Sequence, residues 1–190
     1  MYQDALNEID SIVEDRPISI SSFRDFCESK LNGEKGINAD AMSCIVVNTV
    51  IKEVNELFAL FIIWKLWFLA DKSKLENIDL KIIFDSKNDE IFNFVNDVVH
   101  TFEFHLYFRR IEVVSIEIPS EYNFYIRHGQ SKAVDGIDLM YGEKGGPNFQ
   151  FFSILKKLLN SNYKYVYLCE TDCYPLQKGW QRLIFNQADD

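Results

Sequence analysis

The sequence predicts an α/β fold, in which a Rossmann-like and mostly parallel sheet carries helices on both faces. Short apolar runs alternate with helical patterns four times along the chain, which favours right-handed crossovers between parallel strands. Polar residues follow several of these runs. In an open α/β sheet they would lie at the carboxyl ends of the strands, where ligands bind. The 190 residues suit one domain with a sizeable core, which we place at residues 42–190 after an added arm at residues 1–41.

The sequence of residues 1–41 predicts a helical arm. Leu6, Ile9 and Val13 fall at helical spacing before Pro17 interrupts the pattern. A second helical pattern follows and ends at a pair of glycines. Nothing in this arm suggests chemistry, so we expect it to serve packing or contact with a partner.

The first predicted strand and helix are the most apolar part of the chain. Cys44–Val50 is a β-branched run of the kind that buried parallel strands use. The next helix is predicted from about Lys52 to Asp71, and its Leu57–Ala70 stretch is apolar except for Lys65. Because a membrane span needs about 20 apolar residues, we interpret this stretch as a helix buried against the sheet and predict no transmembrane segment.

The second and third strands enclose an amphipathic helix. Leu80–Phe84 is the second predicted strand and ends at Asp85. Ser86 and Asp89 are placed to cap the following helix, whose apolar residues fall on one face. Ile111–Ile118 is the third predicted strand.

A long loop and a further helix lead to the fourth strand. Residues 120–146 have no strong period and several glycines, which predicts a loop of the length that is usually functional or mobile. A helix from about Pro147 to Asn160 then precedes the strand Tyr165–Cys169. That strand runs directly into Glu170-Thr171-Asp172.

Two acids separated by one residue follow the fourth strand. If the backbone stays extended there, alternation directs the side chains of Glu170 and Asp172 to the same side. Two such carboxylates make an oxygen-rich site suited to Mg²⁺ or Mn²⁺. A solvated acidic turn, stopped by Pro175, is the alternative interpretation.

The sequence around these acids supports the interpretation as a metal site, because it resembles that of a known family. A helix that begins with Gly146-Pro147-Asn148-Phe149 precedes the strand, and Glu170-Thr171-Asp172-Cys173-Tyr174-Pro175 follows it, with Gly179-Trp180 further on. This arrangement resembles the core of GT-A-type glycosyltransferases, in the nucleotide-diphospho-sugar transferase superfamily. Those enzymes carry an Asp-x-Asp or Glu-x-Asp motif, the DXD motif, at the end of a central strand.

The resemblance implies a metal site and a nucleotide site. Asp172 would ligate the metal, manganese or magnesium, and Glu170 would contact the ribose or reach the metal through water. By position, Asn48 and Thr49 at the end of the first strand would hold the base and ribose. Asp85 would contact the base.

The resemblance also implies an activity. The chain would bind a nucleotide-sugar donor, with Gly146 and Asn148 near the sugar, and pass the glycosyl group to a glycan, lipid or protein acceptor that the sequence does not identify. GT-A domains continue well past the motif into an acceptor half that supplies the catalytic base, whereas few residues follow Asp172 here. We therefore interpret residues 42–190 as a truncated, donor-binding part, name no catalytic base, and expect poor transfer by this chain alone.

Other functions fit the sequence less well or stay open. Counts of 20 basic and 29 acidic residues give a net charge of −9, which argues against nucleic acid as a partner. The absence of a G-x-G-x-x-G motif after any strand argues against a dinucleotide-binding oxidoreductase. A non-catalytic nucleotide- or partner-binding module and a metal-dependent phosphoryl-transfer enzyme stay open as alternatives.

Cysteine usage indicates a reducing compartment. The four cysteines are too few for a disulfide scaffold, and Cys169 and Cys173 do not have zinc-site spacing, so we interpret all four as small core residues. The acidic N-terminus does not resemble a signal peptide. We therefore expect a cytoplasmic protein, with peripheral attachment to a membrane left open.

Overall fold

A computed structural model of the chain describes residues 42–70, 77–123, 144–159 and 161–188. Its contacts divide the chain into two compact units, and the described residues up to Ser120 and from Phe149 onward belong to one of them. Residues 121–123 and 144–148 belong to the other unit. The predicted helical arm, residues 1–41, lies outside the described residues.

Strands and helices alternate in the described part of the chain, as the sequence predicts. Each predicted strand is present, with ends that differ by a few residues, and a helix after the fourth strand was not predicted. The elements in chain order are β1 (Met42–Thr49), α1 (Val54–Ala70), β2 (Ile78–Phe84), α2 (Asp89–Thr101), β3 (Arg110–Ser115), α3 (Gly145–Leu159), β4 (Tyr163–Glu170) and α4 (Trp180–Gln187), with short 3-10 helices at Ile51–Glu53 and Phe104–Leu106.

The four strands form one sheet in the order β3-β2-β1-β4, and all neighbouring strands are parallel. The predicted α/β class with a parallel sheet is therefore confirmed. From β1 the chain adds β2 and β3 on one side and then returns to add β4 on the other. The order thus reverses between β1 and β4, which is the topological switch point where open α/β sheets bind their ligands.

The central strand β1 is buried on both faces. Ile45 and Val47 pack into a core with residues of α1, α2 and α4, while Cys44 and Val46 pack on the opposite face with Ile154 and other residues. These four side chains of β1 are fully buried. Helices therefore cover both faces of the sheet, as predicted, which explains why the sequence of β1 is apolar rather than alternating.

Helix α1 is buried along one side only. Leu60, Phe61 and Trp64 lie in the core, whereas Leu66 and Leu69 are 61% and 57% exposed. The interpretation of this stretch as a helix against the sheet is confirmed for its inner side. Within the described residues, no helix combines the length and the apolar character that crossing a membrane requires.

The cap of α2 differs from the prediction. Asn88, not Ser86 or Asp89, is the residue before the first turn, and its Oδ1 accepts a hydrogen bond of 3.1 Å from the Ile91 N–H. Asn88 has the extended backbone that a capping residue needs, whereas Asp89 is already helical. Ser86 instead donates to Asp85 Oδ1 at 3.3 Å.

A buried carboxylate links β2, β4 and the residue that precedes β3, at the opposite end of the sheet from the predicted site. Asp79 in β2 is 2% exposed and accepts two hydrogen bonds from Arg109, to Oδ1 at 2.8 Å and to Oδ2 at 2.6 Å. The Tyr163 hydroxyl in β4 donates to the same Oδ2 at 2.8 Å, reaching across β1. Partial burial and this bond raise the pKa of Tyr163.

We predict that Tyr163→Phe lowers the free energy of unfolding by about 1–2 kcal/mol, because a hydrogen bond to a buried charge is lost. Urea unfolding followed by circular dichroism measures the change. Tyr167→Phe in the same strand is the matched control and is expected to change stability by less than about 0.5 kcal/mol. Equal effects of the two substitutions would contradict this role of the Tyr163 hydroxyl.

Candidate functional site

The carboxyl ends of β1 and β4 lie side by side at the switch point. Asn48 of β1 is the register partner of Glu170 of β4 in their parallel pairing. Beyond this pair the two chains diverge, β1 into the 3-10 helix Ile51–Glu53 and β4 into a turn. The structure thus brings together the polar residues that were predicted at the ends of the first and fourth strands.

Asn48 carries an unusual polar atom. The residue is half-buried, and its Oδ1 is buried without a hydrogen-bond partner among the residues that the structure describes. Such an atom costs about 1–3 kcal/mol, and nearly all buried polar groups in proteins are paired. Within the described ranges, Asn48 is therefore an acceptor at the strand end that lacks a donor.

Thr49 is an anchor for α3. It is 2% exposed, its hydroxyl donates to the Val50 carbonyl at 3.3 Å, and its own carbonyl accepts from Gln150 Nε2 at 3.2 Å. Gln150 is also 2% exposed. The sequence analysis did not identify Gln150, although it could have been indicated by its position as the single amide side chain in the apolar stretch Phe149–Phe152. The predicted contact of Thr49 with a ribose stays a prediction.

Asp85 holds the turn that follows β1. Its Oδ1 accepts a hydrogen bond of 2.9 Å from the backbone N–H of Ile51 and a longer one from Ser86. The acid at the end of the second strand is therefore brought to the end of the first strand. It fixes the backbone there, and its predicted contact with a nucleotide base stays a prediction.

The Glu-Thr-Asp motif does not stay extended. Strand β4 ends at Glu170, and the next residues turn, with hydrogen bonds of 3.1 Å from the Cys173 N–H to the Glu170 carbonyl and from the Tyr174 N–H to the Asp172 carbonyl. The condition for placing Glu170 and Asp172 on the same side by alternation is therefore not met. Both carboxylates are exposed, as in the acidic turn that was the alternative interpretation.

The middle residue of the motif fixes this turn. Thr171 is 4% exposed, and its hydroxyl donates to Glu53 Oε2 at 3.3 Å. The motif is thereby tied to the first turn after β1. Sequence reasoning missed Glu53, although its place directly after the first strand put it at the ligand-binding edge of the sheet.

Metal ligation at this edge would need oxygen atoms from a ligand. In the described ranges, no three or more His, Cys, Asp and Glu side chains are grouped so that they could hold a metal ion. Mg²⁺ is commonly bound by one or two carboxylates together with substrate phosphates and water. Glu170 and Asp172 therefore fit a metal that is shared with a phosphate-bearing ligand, and they do not form a metal centre by themselves.

An aromatic cavity lies beside the motif. The ring of Trp180, at the start of α4, is 5.0 Å from that of Trp64 and 6.3 Å from that of Tyr167, measured between centroids. These rings and residues 173–175 line a cavity of about 140 Å³. The Trp67 Nε1–H donates to the Pro175 carbonyl at 3.0 Å and holds the chain there.

The cysteines differ in burial from the prediction. Cys44 and Cys169 are buried core residues, as expected, and burial raises the pKa of each thiol to about 12. Cys173 is exposed, so its interpretation as a core residue is wrong. The reason is that β4 ends before it and the turn carries it to the surface. Cys27 lies outside the described residues.

Gly146 and Asn148 are in the first turn of α3 and belong to the smaller unit. A Cβ atom on Gly146 would lie 3.5 Å from Asn123 Oδ1, an ordinary contact. Among the described residues of this unit, no close approach therefore requires glycine at that position. The expectation that both residues lie near a sugar stays a prediction.

Comparison with known proteins finds no matching family model, no similar curated protein and no similar solved structure. The function is therefore inferred from the site.

We predict that Asn48→Val leaves the free energy of unfolding unchanged or raises it by up to about 1 kcal/mol. The substitution removes an unpaired buried acceptor and adds a residue that suits a strand. Urea unfolding measures the effect. Gln150→Leu is the matched control, because it removes a buried amide that is bonded, and it is expected to cost about 1–3 kcal/mol. A similar loss in Asn48→Val would contradict the unpaired state of Asn48.

Proposed function

We propose that the chain is the donor-binding part of a GT-A-type glycosyltransferase, which binds a nucleotide-sugar through a divalent metal and transfers the glycosyl group to a glycan, lipid or protein acceptor. One observation carries the proposal. The Glu170-Thr171-Asp172 motif and the acceptor atom of Asn48 meet at the switch point of a parallel sheet.

The strand order supports a nucleotide at this place. The order β3-β2-β1-β4 is that of the first four strands of the doubly wound dinucleotide-binding sheet. In such sheets the crevice at the order reversal, beyond the carboxyl ends of the strands, takes the nucleotide. Here that crevice is the one between β1 and β4.

Asn48 supports a hydroxyl- or N–H-bearing ligand. Its Oδ1 lacks a donor within the described part of the chain, and a ribose hydroxyl or a base N–H would supply one. A donor from a ligand would remove the cost of the buried atom, so binding would recover about 1–3 kcal/mol. Asp85 and Thr171 contribute by holding the turns on either side.

The charge of the site supports a metal ion as part of the ligand. The acids Glu53, Asp85, Glu170 and Asp172 all lie at or just beyond the strand ends, so a diphosphate alone would meet like charge. A divalent metal bound to the diphosphate would neutralise its charge. The exposed carboxylates of Glu170 and Asp172 are the groups that would hold the metal.

Free thiols support a reducing location. Cys44, Cys169 and Cys173 form no disulfide within the part of the chain that the structure describes. The cytoplasm maintains thiols in this state, so we place the activity there.

Calorimetric titration tests the proposal. UDP, GDP and CMP are each titrated into the full chain with Mn²⁺, with Mg²⁺ or with a chelator. We expect one nucleotide to bind with metal and not with chelator, which would also identify the base of the donor. Absence of metal-dependent binding by a folded chain would contradict the proposal.

We predict that Asp172→Asn weakens the metal-dependent binding of that nucleotide by about tenfold or more, since a ligand charge of the metal is lost. The free energy of unfolding should change by less than about 0.5 kcal/mol, because the side chain is exposed. Asp97→Asn, at an exposed acid on α2, is the matched control and should bind like the natural chain. Unchanged nucleotide affinity in Asp172→Asn would contradict the site.

A further inference from the structure

The aromatic cavity beside the Glu-Thr-Asp motif is larger than the voids of a well-packed protein. Its volume of about 140 Å³ is several times the share of one water molecule in the liquid, which is about 30 Å³. Voids larger than a water molecule are few in a domain, because an empty space forfeits the contacts of the atoms around it. An engineered apolar cavity of about 150 Å³ binds benzene. The space in this chain is therefore that of a small ring compound.

The lining of the cavity favours an uncharged, flat ligand. The described residues that line it include no Asp, Glu, Lys, Arg or His, and they are Trp64, Tyr167, Cys169, Cys173, Tyr174, Pro175, Trp180 and Ile184. Burial raises the pKa of the Tyr167 hydroxyl and of the Cys169 thiol, so both groups stay neutral. The tryptophan and tyrosine rings offer flat apolar surfaces, against which an aromatic ring packs in offset or edge-to-face contact.

Two tryptophans of the lining carry an N–H group without an acceptor. Trp64 is 1% exposed and Trp180 is 6% exposed, and in the described part of the chain neither Nε1 has a hydrogen-bond partner. Trp67 shows the usual state, because its Nε1–H donates to the Pro175 carbonyl at 3.0 Å. Buried tryptophans usually bond this group, and an unpaired buried donor destabilises the fold. An oxygen atom of a ligand would supply the missing acceptor.

We propose that the aromatic cavity binds a small, uncharged aromatic carbonyl compound, whose oxygen accepts hydrogen bonds from the indole N–H groups of Trp64 and Trp180. A carbonyl oxygen has two lone pairs, so one such atom can accept from two donors. The two indole rings are in contact, with 5.0 Å between their centroids. The cavity volume, the uncharged lining and the two unpaired donors are together explained by this one class of ligand.

The cavity adjoins the motif but uses other side chains. Cys173 lines the cavity, and its thiol lies 3.8 Å from Asp172 Oδ1. The carboxylates of the motif are not part of the described lining. Binding in the cavity therefore requires neither a metal ion nor a nucleotide, and it is measured in the absence of both.

Nuclear magnetic resonance titration of the ¹⁵N-labelled full chain with acetophenone tests the proposal. The chain has three tryptophans and so gives three indole N–H signals. We expect the signals of Trp64 and Trp180 to move downfield with saturation, as N–H signals do when a hydrogen bond forms. The signal of Trp67 should move little, because its N–H is already bonded.

Two further compounds separate the oxygen from the ring. In 2-phenylpropene a CH₂ group replaces the carbonyl oxygen of acetophenone, so the shape is kept and the acceptor is lost. It should bind about tenfold more weakly and should not move the two indole signals downfield. Benzoate, which is charged, should not bind, because the lining offers its carboxylate no cation.

A variant that fills the cavity locates the binding. Ile184→Phe adds volume to a residue of the lining and should weaken acetophenone binding tenfold or more. Leu183→Phe is the matched control, since this neighbour on α4 is 42% exposed and is not among the described lining residues. It should bind like the natural chain. Circular dichroism of both variants checks that they are folded.

Two results would overturn the proposal. One is the absence of a saturable shift at Trp64 and Trp180 up to the solubility limit of acetophenone, which would leave water as the occupant of the cavity. The other is equal binding of acetophenone and 2-phenylpropene, or normal binding by Ile184→Phe. Neither result bears on metal-dependent nucleotide binding, so the proposed function keeps its own test.

Discussion

Parallel pairing of β1 with a strand on each side is the constraint on which the rest of the structure depends. Because β1 has neighbours at both edges and cores on both faces, its side chains Cys44, Ile45, Val46 and Val47 are completely buried. None of these four side chains is charged or carries an amide or hydroxyl group. The first polar side chains of β1 beyond them, Asn48 and Thr49, therefore come at the ligand-binding edge, between the ends of β2 and β4.

The site combines fixed backbone with unsatisfied or exposed side chains. Thr49, Thr171 and Asp85 use hydrogen bonds to hold the segments that leave β1 and β4. Asn48, by contrast, has a buried oxygen that finds no donor among the described residues, and the acids on either side of Thr171 face solvent. Rigid supports beside groups that lack partners are what a preorganised binding site requires. This contrast, more than the acidic motif alone, supports a ligand at the switch point.

The sheet could be predicted because its strands are encoded by local composition. The runs around Val46, Ile82 and Leu168 are long enough, and apolar enough, to indicate buried parallel strands without knowledge of their neighbours. Once the strands were parallel, the polar residues that follow them had to gather at one edge. The places of Asn48 and Glu170 followed from that argument, whereas their pairing in register required the strand order.

Other features depend on contacts that a sequence pattern does not reveal. The turn after Glu170 is set by Thr171 reaching Glu53, a residue more than 100 positions away along the chain, so alternation could not predict the direction of Asp172. Helix α4 is short, and the contact of Trp180 with Trp64 holds it in place. The sequence indicates this helix only through the helical spacing of Trp180, Ile184 and Phe185. The cap at Asn88 was missed because Ser86 and Asp89 are equally good capping residues and only the backbone conformation distinguishes them.

Paramagnetic broadening by Mn²⁺ tests the location of the site most directly. Amide signals of the ¹⁵N-labelled chain are recorded with Mg²⁺ and the nucleotide that binds, and again after a small fraction of the Mg²⁺ is replaced by Mn²⁺. The account predicts that broadening concentrates at the ends of β1 and β4, at Asn48 and from Glu170 to Cys173. Broadening that centres on other acidic surfaces, such as the start of α2, would contradict it.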